Sequence, residues 1–169
     1  SSKLPWGGNE ADARCLELKR KLADALEELY GQGVRHFICG MATGCDMFFA
    51  EAVLAYSPDK GAFLPFARTV LALRERRPDV TLEAAIPCEE QDRRWTHGLS
   101  ERYDRLLAEC DSRTLVSRAY TPECMMRRNR YMVDNAGTVL AVFNGSPGGT
   151  FNTLRYAVGL GRKIVEIEP

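Results

Sequence analysis

Arg128 lies in the stretch Met125-Met126-Arg127-Arg128-Asn129-Arg130-Tyr131-Met132, so on a helix it shares a stripe with Met125 and Met132 at spacings of three and four. A guanidinium turned inward needs a counter-group, because burying an unpaired charge costs several kcal/mol. That group is a carboxylate of the protein or an anionic ligand; otherwise the arginine sits at the stripe's edge and snorkels to water. Just downstream, Thr138 to Gly161 reads as a buried strand (Val139 to Phe143), a turn of Asn144, Gly145, Ser146, Pro147, Gly148 and Gly149, and a helix opening near Thr150. The first N–H groups of a helix have no partner inside it, and the dipole puts partial positive charge there, so the natural guest is phosphate. Gly148 and Gly149 let backbone approach a ligand closely, and Thr150, Asn152 and Thr153 add short polar side chains. A plain connecting turn is the competing reading, since Pro-Gly-Gly is also ordinary turn chemistry.

A second unit of the same kind occurs earlier. Val34 to Cys39 reads as a strand, Gly40-Met41-Ala42-Thr43-Gly44-Cys45-Asp46 as a glycine turn, and Met47 to Tyr56 as a helix. If the two strands lie in one parallel sheet, both turns emerge at its carboxyl edge and face one ligand, with Gly40, Thr43 and Gly44 forming the second cradle. Asp46 either accepts a ribose hydroxyl or merely complements the helix dipole. At the same helix end the Cys45 thiol is expected to ionise more easily than usual, yet no histidine serves it as a base. Beyond a third strand at Val80 to Ile86 come Pro87-Cys88-Glu89-Glu90-Gln91-Asp92-Arg93-Arg94-Trp95. Here Trp95 stacks on a base with Arg93 nearby, or else it belongs to the core and the charges to a solvated run. His36, inside a strand, and His97, without a Ser or Cys partner, do not look catalytic.

These residues must be positioned by regular elements. Cys15, Leu18, Leu22, Ala25, Leu26 and Leu29 mark a helix between Asn9 and Tyr30, closed by Gly31-Gln32-Gly33. Phe66 to Arg77 also reads as helical, as do the segments from Ser100 to Cys110 and, with Thr121 as N-cap and Pro122 in the first turn, from Pro122 to Asn135. Arg113 to Ser117 and Lys163 to Ile167 complete five strands that alternate with helices. That alternation predicts an α/β fold, doubly wound around a mainly parallel sheet in a single domain. The 169 residues, 45% hydrophobic and 27% charged, suffice for one core. No run of about 18 apolar residues or signal segment is present, so a cytoplasmic protein without membrane spans is expected. With 23 basic and 23 acidic residues the charges cancel, which argues against nonspecific nucleic-acid binding. Six scattered cysteines with no C-x-x-C pair point to reduced thiols and to no metal centre. The methionine-bearing helix offers a flat apolar face for a homodimer.

Together, the 40–46 turn with Asp46, the Pro87 to Trp95 run, the Met125 to Asn129 helix and the Gly145 to Thr150 turn resemble the YpsA/YoqJ-like branch of the SLOG superfamily, over nearly the whole chain. That superfamily also holds the LOG phosphoribohydrolases and the DNA-processing DprA proteins. The resemblance implies a Rossmann-like fold that binds nucleotides or nucleotide-derived ligands such as ADP-ribose, mostly in bacteria and their phages. Its members usually open with a strand ending in a Thr-Gly-His-Arg-like turn, and Ser1 to Trp6 stands about where that turn would have ended. LOG enzymes read Pro-Gly-Gly-x-Gly-Thr-x-x-Glu, and their glutamate acts with a helix arginine on an N-glycosidic bond. Arg128 matches that arginine and is the one catalytic candidate, but Phe151 and Asn152 replace the second Gly and the Thr, and Arg155 replaces the Glu. The resemblance thus implies a sensor or binding protein for ADP-ribose, an NAD-like dinucleotide or a nucleoside monophosphate, with no other cofactor. The alternatives are a LOG-like hydrolase of nucleoside monophosphates, with Arg128 and one of Glu89, Glu90 or Asp46 doing the work of the absent glutamate, and a DprA-like binder of single strands using Arg127, Arg128 and Arg130.

Overall fold

The computed structural model describes residue 6 and residues 9–56 and 79–169; the helix expected at Phe66 to Arg77 and the opening Ser1 to Pro5 lie outside them. In chain order the elements are α1 (Ala13–Gly31), β1 (His36–Cys39), α2 (Cys45–Tyr56), β2 (Thr81–Ile86), α3 (His97–Glu109), β3 (Ser112–Leu115), α4 (Cys124–Asp134), β4 (Thr138–Val142), α5 (Gly149–Gly159) and β5 (Lys163–Ile167). Among the described residues no helix is long and apolar enough to cross a membrane.

Local chemistry sets the boundaries. Asp12 caps α1 by accepting the Arg14 N–H at 2.9 Å, and the chain leaves that helix through Gly33 at φ +93°. Two starts differ from expectation. α3 opens at His97 instead of Ser100, with Thr96 extended at its N-cap position but making no side-chain cap. Thr121 does not cap α4; its carbonyl accepts the Cys124 N–H at 3.1 Å, so Thr121-Pro122-Glu123 forms a turn ahead of the helix.

Among the described residues all strand pairs are parallel, which makes the fold α/β and Rossmann-like in a single domain. The sheet is in two pieces: β1-β2-β3, registered His36↔Thr81 and Glu83↔Ser112, and β4-β5, registered Thr138↔Lys163. A continuous sheet was the expectation; the described residues place no strand pairing between β1 and β4. α1 spans the division. Its Ala23, Leu26 and Leu29 pack with Phe37, Cys39, Leu82 and Leu106 in one cluster, whereas Cys15, Leu18 and Leu22 pack with Trp6, Phe48 and Ile167 in another. Each such buried leucine contributes about 1.5–3 kcal/mol. Arg102 of α3 adds a polar clamp between these layers, gripping Glu51 of α2 with both Nε (2.6 Å) and Nη2 (2.8 Å) and reaching Glu10 through Nη1.

The other face of the three-stranded sheet is polar, with Glu83 buried at its centre. Thr114 Oγ1 and Tyr131 Oη each donate to Glu83 Oε1 at 2.6 Å, and His36 Nε2 lies 3.2 Å from Oε2. His36 is therefore part of the scaffold. Burial pushes the Glu83 carboxyl up, but the hydrogen bonds from Thr114, Tyr131 and His36 outweigh it and hold the group below its ordinary 4.5. The folded chain thus takes up a proton at Glu83 less readily than the unfolded chain. The stabilisation is complete above the unfolded value and is lost as pH falls through the lower folded one. Replacing Glu83→Gln is expected to lower unfolding stability by about 1–3 kcal/mol at neutral pH. It should also flatten the acid side of the stability profile, read by urea denaturation across that range; an unchanged acid slope would contradict the assignment.

Candidate functional site

Both glycine turns leave the carboxyl ends of parallel strands, the first between β1 and α2 and the second between β4 and α5. α4 joins them. Arg128, only 6% exposed, donates through Nη1 to the carbonyl of Gly40. Its Nε donates to Asn129 Oδ1 at 2.8 Å, Asn129 Nδ2 donates to Thr153 Oγ1 at 2.8 Å, and Thr153 Oγ1 donates to the Gly149 carbonyl at 2.8 Å. A continuous chain of polar contacts thus runs from one turn to the other through two adjacent residues.

The surroundings of Arg128 differ from the expected stripe. Its inward neighbours on α4 are Cys124 and Val133, both buried, whereas Met125 is 38% exposed and does not share its environment. Its nearest carboxylate, Asp46, stands 3.9 Å away, so a backbone carbonyl is the principal partner. Among the described residues Nη2 forms no hydrogen bond.

The first turn is tightly built. A Cβ placed on Gly40 would lie 2.0 Å from Arg128 Nη1 and 2.8 Å from Asp46 Oδ2, which is why glycine stands there. Met41 follows at φ +54°, the one non-glycine residue with positive φ among those described, and its side chain is fully buried. A left-handed backbone at such a residue stores about 1–3 kcal/mol. Gln91 holds it: Nε2 donates to the Met41 carbonyl at 2.8 Å and more weakly to Gly40 at 3.4 Å, while the buried Oε1 has no partner among the described residues. Asp46 accepts the Ala42 N–H at 3.1 Å, and Gly44 turns the chain into α2 at φ +85°. Thr43 is half-buried in the same turn. Burial pushes the Cys45 thiol up to about 11, overturning the expectation that the helix end would lower it.

The second turn is open. Asn144 Oδ1 accepts the Ser146 N–H at 3.1 Å, Gly145 adopts φ +82°, and residues 144–152 are exposed throughout. A Cβ on Gly148 or Gly149 would meet nothing within 4 Å, so the opening turn of α5, with Thr150 and Asn152, faces free space. Arg93 and Trp95 are engaged with other side chains of the protein. Arg93, 75% exposed, pairs with Glu90 at 2.9 Å, and Trp95 packs edge-on to Tyr103 at 5.3 Å against the core. Met41, Gln91 and Asn129 are the site residues sequence reasoning missed.

The family model described as the YspA SLOG family (YpsA) matches residues 54–158. The chain belongs to this family. The SPbeta prophage-derived protein YoqJ of Bacillus subtilis (strain 168) is similar over 91% of this chain and 89% of its own length, at 28% identity. A UPF0398 protein of Bacillus licheniformis is 28% identical over 57% of the chain and 56% of its own length. Membership in a SLOG family points to nucleotide-related binding or processing.

The close fit at Gly40 makes a direct prediction. Gly40→Ala should displace the Arg128 guanidinium and destabilise the fold by about 1–3 kcal/mol. In an Arg128→Ala background the same substitution should cost clearly less, the two losses being non-additive. Denaturation of the four proteins of this cycle measures the coupling, and strict additivity would show that the contact carries nothing.

Proposed function

We propose that the chain binds a nucleotide-derived ligand (ADP-ribose, an NAD-like dinucleotide or a nucleoside monophosphate) as a sensor or binding protein. The observation that carries this reading is the open amino end of α5, joined through Asn129 and Arg128 to the Gly40 turn. A phosphate at the free N–H groups of residues 149–151 would meet the positive end of the helix dipole with no Cβ in its way. Arg128 supplies positive charge between the turns, with Nη2 uncommitted among the described residues.

The first turn presents an acceptor, the partly exposed Asp46 carboxylate, and so suits hydroxyl groups better than a second phosphate. Ribose supplies such groups. Binding is favoured over hydrolysis because the position that would carry a LOG glutamate is Arg155, whose guanidinium lies over the Phe151 ring. Neither side chain offers a general acid or base for glycosidic cleavage.

Thermal melting with AMP, ADP-ribose and NAD tests the proposal. A ligand at about 100 times its Kd adds about 2.7 kcal/mol, which for a chain of this size raises Tm by roughly 5–10 °C. Arg128→Ala should abolish the shift, and incubation with AMP should release no free base. Melting curves that ignore every member of the panel would refute the reading.

A further inference from the structure

Two phenylalanines flank the second turn. Phe143, directly after β4, and Phe151, in the first turn of α5, stack with ring centroids 6.3 Å apart and planes 28° apart. Arg155, one helical turn further on, places its guanidinium carbon 5.9 Å from the Phe151 centroid. Two rings and a planar cation thus lie together beside the open amino end of α5. Phe151 is nevertheless 37% exposed, an apolar ring left in water next to Gly148, Gly149, Thr150 and Asn152.

The two helices that flank the second turn are basic. α4 and α5 together carry Arg127, Arg128, Arg130 and Arg155 against a single acid, Asp134, whose carboxylate already accepts the Tyr156 hydroxyl at 2.8 Å. A ligand that fits must be anionic at the turn and flat where it meets the rings. A nucleobase joined through ribose to a phosphate has both properties, and aromatic and guanidinium planes hold bases by stacking. Trp95 offers no such surface, its ring lying against Tyr103 and the core.

We propose that the Phe143–Phe151–Arg155 stack is a base-binding ledge, holding the nucleobase of a nucleoside phosphate whose phosphate occupies the residue 145–150 turn. The inference rests on the phosphate reading given above and adds the place where the base lies. Phe151 and Arg155 are two of the three positions, with Asn152, at which the chain departs from the LOG pattern Pro-Gly-Gly-x-Gly-Thr-x-x-Glu, so the ledge stands where a LOG protein has glycine and glutamate.

Calorimetric titration tests the ledge by comparing AMP, GMP, CMP and UMP with ribose phosphate that lacks a base. The wild-type chain is expected to bind at least one of the four roughly 5- to 100-fold more tightly than the base-free sugar phosphate. In Phe151→Ala that ratio should fall towards one while sugar-phosphate affinity is retained. Phe151→Leu, which keeps an apolar side chain of similar bulk and guards against loss of folding, should also reduce it. Equal wild-type affinities with and without a base would overturn the ledge and leave the phosphate turn standing. So would a ratio unchanged in both variants, or a Phe151→Ala chain that changes oligomeric state on gel filtration with no change in ratio, the sign of a contact between two copies. Failure of the wild type to bind any of the five compounds would overturn the ledge, and with flat melting curves for ADP-ribose and NAD it would remove the phosphate reading as well.

Discussion

One hydrogen bond organises the site: Arg128, buried on α4, donates to the carbonyl of Gly40 at the end of β1. A guanidinium taken out of water must be matched by acceptors, and a backbone carbonyl at a strand end is one that no side-chain rearrangement can withdraw. Its consequence spreads in both directions. On one side it requires glycine at residue 40, since a Cβ there would collide with Nη1, and it sits beside the left-handed Met41 that Gln91 holds in place. On the other, Arg128 Nε orients Asn129 towards Thr153 and so ties α4 to the start of α5. The two turns are thereby fixed relative to each other although the strands that carry them are not hydrogen-bonded together.

The two turns have unlike characters. The first is closed and strained, and its carbonyls are already engaged by Arg128 and Gln91. The second is open, rich in glycine and set at a helix start. Under the proposed function such a division suits a ligand with two chemically different ends. Rigidity at one end and open space at the other also limits the conformational entropy lost on binding, because the packed part needs no further ordering.

Most of the architecture could be read from periodicity. The alternation of apolar strands and amphipathic helices is local information, and the spacing of Leu18, Leu22, Leu26 and Leu29 was enough to place the inward face of α1. What failed depended on distant contacts. The stripe assigned to Met125, Arg128 and Met132 was out of phase, because the face of α4 that turns inward is set by Cys124 and Val133. Arg128 was recognised as needing a partner, but nothing local could name a carbonyl 88 residues earlier in the chain. The positive φ of Met41 had no signal at all, since that conformation is imposed by burial and by Gln91. Cys45 was misjudged because the loss of solvation around its thiol outweighs the pull of the helix end. The break between β1 and β4 was equally invisible, strand order being a property of the assembled sheet.

The division of the sheet also bears on how the chain reaches its native state. In the β4-β5 pair Thr138 faces Lys163, and the whole excursion between them is the turn and α5, a short loop whose closure entropy is small. His36 and Thr81 of the other sheet are separated by 45 positions, and their pairing encloses α2 and the segment after it. Contacts between near neighbours form sooner than those between remote segments, so the carboxyl-terminal strand-helix-strand hairpin has the topology of an early folding unit. Leu18 and Leu22 of α1, meeting Ile167 across the division, then join this late part of the sequence to the first helix, and the domain closes around its own amino-terminal region.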